Sequence, residues 1–225
     1  MIKKLKARFH NEDGNIILFV LGMLSIIMIL FVFVLNMGMG LAVKEKSGTT
    51  ANQASMAASS VFYEEVRKIV FDYEDDTLEG KLQAFFEDIE EKVDDKVSDL
   101  SGSFTYSDWS TNEIELEAFD LVLKEEIDTP VIREKLNELL EEADIESQVI
   151  NKAREAIVQN GGQLDGAELT IENNRIHVKA ANEFESTSYD GMMAGISENI
   201  YQESAGPEID FLEDVWNTSN TVQLN

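Results

Sequence analysis

The chain contains an uncharged stretch of twenty residues, from Ile16 to Leu35, and this stretch limits the possible folds more than any other feature. As an α-helix rising about 1.5 Å per residue, it is long enough to cross a hydrocarbon core of roughly 30 Å with its backbone hydrogen bonds satisfied inside lipid. Helices buried in soluble cores usually keep one polar side, whereas this stretch is apolar all round. Because the charge-free run continues to Val43, we expect a transmembrane helix over residues 16–43.

A cleavable signal peptide is the main alternative to a permanent anchor. The hydrophobic region of such a peptide is only about 7–15 residues long, which is shorter than this run. Small residues at Gly40 and Ala42 nevertheless offer a cleavage position, so this alternative stays open.

Charge is distributed unequally on the two sides of the predicted span. The basic leader, residues 1–15, has Lys3, Lys4, Lys6 and Arg8, and short basic flanks stay in the cytoplasm, so we expect the N-terminus inside and the rest outside. Of the 44 acidic and 18 basic residues, 42 and 14 follow residue 43, giving that part a formal net charge of −28. Such a domain lacks the basic surface that nucleic-acid binding requires.

Residues 44–75 continue the helical pattern without a breaker and predict a helical stalk. Ser47, Ala51, Ser55 and Ser59 recur at intervals of four and therefore share one face of this helix. Small side chains let another backbone approach closely. We interpret the four residues as a ridge that packs against other membrane helices; the alternative is a helix merely rich in good helix formers.

Residues 76–225 predict an acidic extracytoplasmic domain of the α+β class. Apolar residues at helical spacing predict amphipathic helices over about 78–100 and 130–160, with a break near Asp144 in the second. One more short helix is expected over Met192–Ile200.

Two β-hairpins are expected to complete this domain. Over residues 104–123, aromatic residues and then apolar residues alternating with glutamates predict the first. Over 167–180, strict alternation surrounds Asn173 and Asn174, which suit a two-residue turn and predict the second.

No motif predicts a catalytic, cofactor or metal site. The two histidines, His10 and His177, have no nucleophile elbow near them in the sequence, and the acidic stretches lack the spacing of a calcium loop. The chain has no cysteine, which excludes disulfides, thiol catalysis and zinc–thiolate sites. We expect a protein without enzymatic activity and without a cofactor.

The N-terminal region resembles a known family. A basic leader, the acidic-Gly-Asn step at residues 11–17 and the alanine-rich segment at 53–58 resemble the N-terminal region of TadE/TadG-like proteins of bacterial tight-adherence (Flp) pilus systems. The resemblance covers residues 8–60. It implies a pilin-like or pilus-assembly component anchored in the bacterial cytoplasmic membrane and acting on its outer face.

Processing of the leader is a separate question. Prepilin-type cleavage after Gly14 would place Phe19 at the fifth mature position, where the family pattern has a glutamate. A carboxylate at that depth is costly in lipid unless a neighbouring subunit neutralises it, so its absence favours a helix that stays in the membrane.

Two classes of function follow from the sequence, with an anchored enzyme that uses carboxylates as a weaker third. The first is an assembly or accessory protein whose partners, besides the lipid bilayer, are other membrane or pilus-assembly proteins reached through the N-terminal helix; a homo-oligomer is compatible with it. The second is an anchored ligand-binding or sensory domain. The short cytoplasmic leader contains no domain that could transmit a signal, which argues against a sensory function.

Overall fold

A computed structural model describes residues 12–73, 78–188, 191, 193–216 and 221–225, with side chains from Ile16 onward. Residues 1–11 of the basic leader, which carry all four of its lysine and arginine residues, lie outside the described residues. The chain divides into two compact units. One unit combines the N-terminal segment up to Glu45 with Glu183–Ile200, and the other combines Lys46–Asn182 with Tyr201–Asn225.

The fold is α+β, with one long N-terminal helix and a four-stranded antiparallel sheet. The helices are α1 (Glu12–Asp72), α2 (Lys81–Ser101), α3 (Thr111–Ile127), α4 (Pro130–Glu142), α5 (Ile145–Gln159) and α6 (Leu212–Val215). The strands are β1 (Gln163–Glu172), β2 (Arg175–Glu185), β3 (Ser197–Glu208) and β4 (Thr221–Gln223), and they lie in the order β3-β2-β1-β4.

The first part of α1 is apolar and exposed. Between Ile16 and Leu35 its large apolar side chains are exposed, with the exception of Val32. This helix is long and apolar enough to cross a membrane, which is consistent with membrane anchoring.

The second part of α1 instead provides one wall of a hydrophobic core. Its buried side chains follow the helical period along one stripe and include Ala51, Ala54, Ala58, Phe62, Val66 and Val70. Phe62 stacks on Phe211 with ring centroids 5.8 Å apart, and Phe119 meets Phe211 edge-on at 6.1 Å. The core of this unit is therefore built on α1.

The β1–β2 hairpin is confirmed. The strands pair antiparallel from Glu172↔Arg175 onward, and Asn173 and Asn174 have φ values of 52° and 56°, as a primed two-residue turn requires. The alternating apolar residues are buried on one face of the sheet: Ala167, Leu169, Ile171, Ile176, Val178 and Ala180.

The hairpin predicted over residues 104–123 is wrong. Phe104–Tyr106 form a 3₁₀ turn, and the rest of the segment begins α3. Ser110 and Glu113 form a capping box at the start of this helix, with the Ser110 N–H donating to Glu113 Oε2 at 2.7 Å. Apolar residues alternate with glutamates here as they would in a strand, but the buried residues follow a helical spacing along α3: Ile114, Ala118, Val122 and Ile127.

The other predicted element boundaries differ less from those of the structure. The break near Asp144 is confirmed, because Asp144 adopts φ 50° between α4 and α5; its side chain makes no cap hydrogen bond. The short helix expected over Met192–Ile200 is wrong where the chain is described, since β3 begins at Ser197; Met192 itself lies outside the described residues.

Candidate functional site

A groove of about 750 Å³ lies in the unit Lys46–Asn182 and Tyr201–Asn225, between α1, α3 and the end of β3. Pockets of this size commonly hold small molecules or peptide side chains. Its lining residues come from the three elements in turn: Met56, Ser60, Tyr63, Glu64 and Arg67; Trp109, Glu113, Leu116, Glu117 and Asp120; Pro207 and Glu208.

Helical periodicity places these side chains. On α1, Met56, Ser60, Tyr63 and Arg67 are spaced by three or four residues and therefore share one face beside the buried stripe. On α3, Glu113, Leu116 and Asp120 follow the same spacing. Three of the apolar lining residues stay accessible, with exposures of 50% for Met56, 42% for Trp109 and 38% for Leu116.

Asp120 lies at the base of the groove and is 5% exposed. Both of its carboxylate oxygens accept the Asp210 N–H, each at 3.0 Å. Burial, together with the nearby charges of Asp210 and Glu117, raises the pKa of Asp120 to about 7, although the hydrogen bonds from the Asp210 N–H and from Tyr63 lower it. Asp120 is therefore a carboxyl that changes protonation near neutral pH.

Tyr63 lies beside Asp120 on the facing helix. Burial raises the pKa of its phenol far above the ordinary value, and the negative charge of Asp120 adds to this. Its hydroxyl lies 3.5 Å from the carbonyl oxygen of Glu208. Tyr63 therefore stays neutral and serves as a hydrogen-bond donor at the base of the groove.

The rim of the groove is acidic. Glu64, Glu113, Glu117 and Glu208 carry carboxylates around the apolar lining. Arg67 carries the cationic group among the lining residues, and its guanidinium lies 5.6 Å from the Phe71 ring centroid. This arrangement suits a ligand with an apolar body and positive charge.

The predicted ridge of small residues is buried inside the chain's own fold. Ser47, Ala51, Ser55 and Ser59 are each at most 1% exposed. The Asn182 N–H donates to Ser47 Oγ at 3.0 Å. The ridge does permit a close approach of another backbone, but that backbone is the chain's own sheet.

Two contacts show how close this approach is. A Cβ added at Gly206 would lie 3.1 Å from the carbonyl oxygen of Ser55. Asn182, which is 1% exposed, accepts a hydrogen bond from Thr50 Oγ1 at 2.8 Å and donates one to the Gly161 carbonyl at 2.7 Å. Bulky side chains on the ridge would therefore disturb the fold itself.

One histidine, His177, lies within the described residues. His177 on β2 is half-buried, and its Nδ1 lies 3.3 Å from Glu203 Oε1. Within the described residues, no group of three or more histidine, aspartate or glutamate side chains could hold a metal ion.

The sequence analysis missed Asp120 as a site residue. The Ser110-x-x-Glu113 capping box is the local signal that could have identified α3. Once the segment is read as a helix, Asp120 falls among the buried positions next to Phe119 and Leu123, which marks it as an unusual carboxylate.

No protein-family model, curated protein or solved structure matches the chain.

Proposed function

We propose that this chain is a single-pass protein of a bacterial cytoplasmic membrane, with its N-terminus inside and its acidic α+β domain outside. There it acts as a pilin-like or pilus-assembly accessory protein without enzymatic activity. The composition of α1 gives the strongest support. Its first part presents exposed apolar side chains over a length that can span a membrane. Its second part contributes a buried stripe to the hydrophobic core. The family resemblance of residues 8–60 supplies the pilus context.

Contacts with other membrane proteins would use the exposed part of α1. The small ridge is already covered by the sheet, so it leaves the lipid-facing side chains between Ile16 and Leu35 as the surface for partner helices. Phe31, which is 57% exposed, is a suitable reporter of such contacts.

A photo-crosslinking amino acid at Phe31 tests this proposal in membranes of the source bacterium. We expect adducts with membrane proteins of a pilus system or with a second copy of the chain. As a control, the same amino acid at Phe104, which is 94% exposed in the other unit, should not give the same adducts. Adducts with lipid alone at Phe31, together with normal piliation after deletion of the gene, would contradict the proposal.

The acidic groove favours a second function, the binding of a cationic amphipathic segment of a partner protein. Carboxylates of Glu64, Glu113, Glu117 and Glu208 would attract lysine or arginine side chains, and Trp109 and Leu116 would contact apolar ones. This function is compatible with an assembly role, because the bound segment can belong to another component of the assembly.

Fluorescence of Trp109 offers a direct binding assay. A Leu/Lys amphipathic peptide should change this fluorescence, and its affinity should fall as salt rises. Glu117→Gln should weaken binding by up to about fivefold, since exposed ion pairs contribute about 0.2–1 kcal/mol. Glu125→Gln, an exposed change on the same helix outside the groove, should leave it unchanged. Equal affinity for a peptide with neutral residues in place of lysine would contradict this function.

A further inference from the structure

A segment distant in the sequence lies against α1 at Asn36, directly after the most apolar stretch of the predicted membrane span and seven residues before the predicted end of that span at Val43. Within the unit formed by the N-terminal segment and Glu183–Ile200, the side chain of Asn36 contacts the backbone of Thr187 twice. Its Nδ2 donates to the Thr187 carbonyl at 2.9 Å, and its Oδ1 accepts the Thr187 N–H at 2.7 Å. One polar side chain of α1 therefore satisfies both backbone groups of this residue.

The depth of this contact can be estimated from the helix. Asn36 directly follows Leu35, where the most apolar stretch ends. Val32 lies one turn earlier and is only 7% exposed, although its neighbours Phe31 and Phe33 are 57% and 55% exposed. Three residues of helix correspond to about 4.5 Å, so protein covers α1 to about this depth inside the end of the apolar stretch.

Backbone at this depth needs internal hydrogen bonds, and several described residues of the segment make them. In addition to the two bonds from Asn36, the Ser186 N–H donates to the Ile196 carbonyl at 2.9 Å, and the Ser186 hydroxyl donates to the Met193 carbonyl. Irregular backbone is tolerated near hydrocarbon only where such partners exist. These hydrogen bonds, including the two between Asn36 and Thr187 that we call the Asn36 clamp, let the described backbone lie at a lipid boundary.

The end of the segment carries apolar side chains, whereas Thr187 and Ser188 nearer its start are exposed and polar. Residues 193–196 read Met-Ala-Gly-Ile, without charge, and Ile196 is 47% exposed. The segment between Ser186 and Ile196 has no basic residue, so attraction to anionic headgroups cannot hold it there. Apolar contact with the boundary between headgroups and acyl chains is the remaining attraction.

We propose that Ile196, on a segment that Asn36 holds against α1 through Thr187, makes a second, shallow contact with the outer leaflet. This inference rests on the membrane anchorage proposed above. It adds a contact at the lipid surface to the span itself.

The absence of cysteine makes site-specific labelling straightforward. The full chain is reconstituted in vesicles of zwitterionic phosphatidylcholine with an environment-sensitive fluorophore at Ile196→Cys, and quenching is measured with lipids that carry a nitroxide near the top or near the end of an acyl chain. We expect strong quenching by the shallow nitroxide, weaker quenching by the deep one, and little effect of salt. Asn36→Leu should reduce the shallow quenching, because the clamp is lost.

Two further labels separate the possible failures. Met28→Cys, in the middle of the predicted span, should be quenched by the deep nitroxide; if it is not, the anchor itself fails. Val158→Cys, an exposed apolar position of α5 in the other unit, controls for partitioning of the dye into lipid. If Met28 is quenched while Ile196 is no more quenched than Val158, the shallow contact is wrong. Protection of Ile196 from both nitroxide and aqueous iodide, together with disulfide-linked dimers of the unlabelled Ile196→Cys chain, would assign the segment to a contact with a second copy and also overturn it.

Discussion

Replacing Asp120 with asparagine should change how the stability of the domain depends on pH. The pKa of this carboxyl rises from 3.8 in the unfolded chain to about 7 in the folded one. Between these values the folded state binds the proton that the unfolded state releases, so stability is greatest below the unfolded pKa and falls as pH rises through the folded pKa. The full shift corresponds to about 4 kcal/mol at about 1.36 kcal/mol per pKa unit.

Only part of this range is accessible in a clean experiment. From pH 5 to about pH 7, the titration of Asp120 should lower the free energy of unfolding by at most about 3 kcal/mol, at about 1.36 kcal/mol per pKa unit. Because solvent enters the open groove, we expect a decrease of about 1–3 kcal/mol. Asp120→Asn removes the titrating group while keeping an oxygen that can accept the Asp210 N–H. The variant should therefore gain stability relative to the wild type by this amount between pH 5 and 8.

Urea unfolding of the detergent-solubilised chain at several pH values measures the difference. Trp109 and Trp216 report the transition, and taking the difference between variant and wild type cancels the titration of other groups that are common to both. Asp95→Asn, an exposed change on α2, controls for removing one negative charge. Parallel curves for Asp120→Asn and the wild type from pH 5 to 8 would refute the raised pKa.

Two further predictions concern the interface between α1 and the sheet. Asn182→Ala should lower the free energy of unfolding by about 2–4 kcal/mol, because it leaves buried partners, including the Thr50 hydroxyl, without hydrogen bonds; full stability of the variant in urea would contradict this. Gly206→Ala should cost about 1–3 kcal/mol, because the new methyl group meets the Ser59 hydroxyl and lies 3.1 Å from the carbonyl oxygen of Ser55. Its matched control is Gly48→Ala, where a Cβ meets nothing within 4 Å and helix propensity should add up to about 1 kcal/mol. If the melting temperatures of the two glycine variants change equally, the close approach of the sheet to α1 at Gly206 is contradicted.

The parts of the fold that sequence could predict are those with one dominant period. The β1–β2 hairpin has strict alternation and a turn that only residues tolerant of positive φ adopt readily, and both signals agree. Residues 113–120 gave conflicting signals, because glutamates alternate with apolar residues while the buried positions follow a helical period. The capping box at Ser110 and Glu113 is the local signal that favours the helix.

The candidate groove could not be predicted in the same way. Tyr63 and Asp120 lie on different helices, and no local pattern indicates that they meet. The packing partner of the ridge at Ser47, Ala51 and Ser55 could not be predicted either. Small residues indicate that another backbone comes close, but they do not identify which backbone it is. In both cases tertiary packing, rather than local preference, determines the partner.

The two parts of α1 face different surroundings, and its sequence changes accordingly. Up to Val43 nearly every position is apolar, which suits lipid on all sides. From Ser47 onward the buried positions narrow to one stripe, and the rest of the surface becomes polar. Because that stripe carries part of the core of the folded unit, loss of packing there would destabilise that unit. The small residues of the ridge support this packing, since they let the sheet pack on α1 at a distance that larger side chains would prevent.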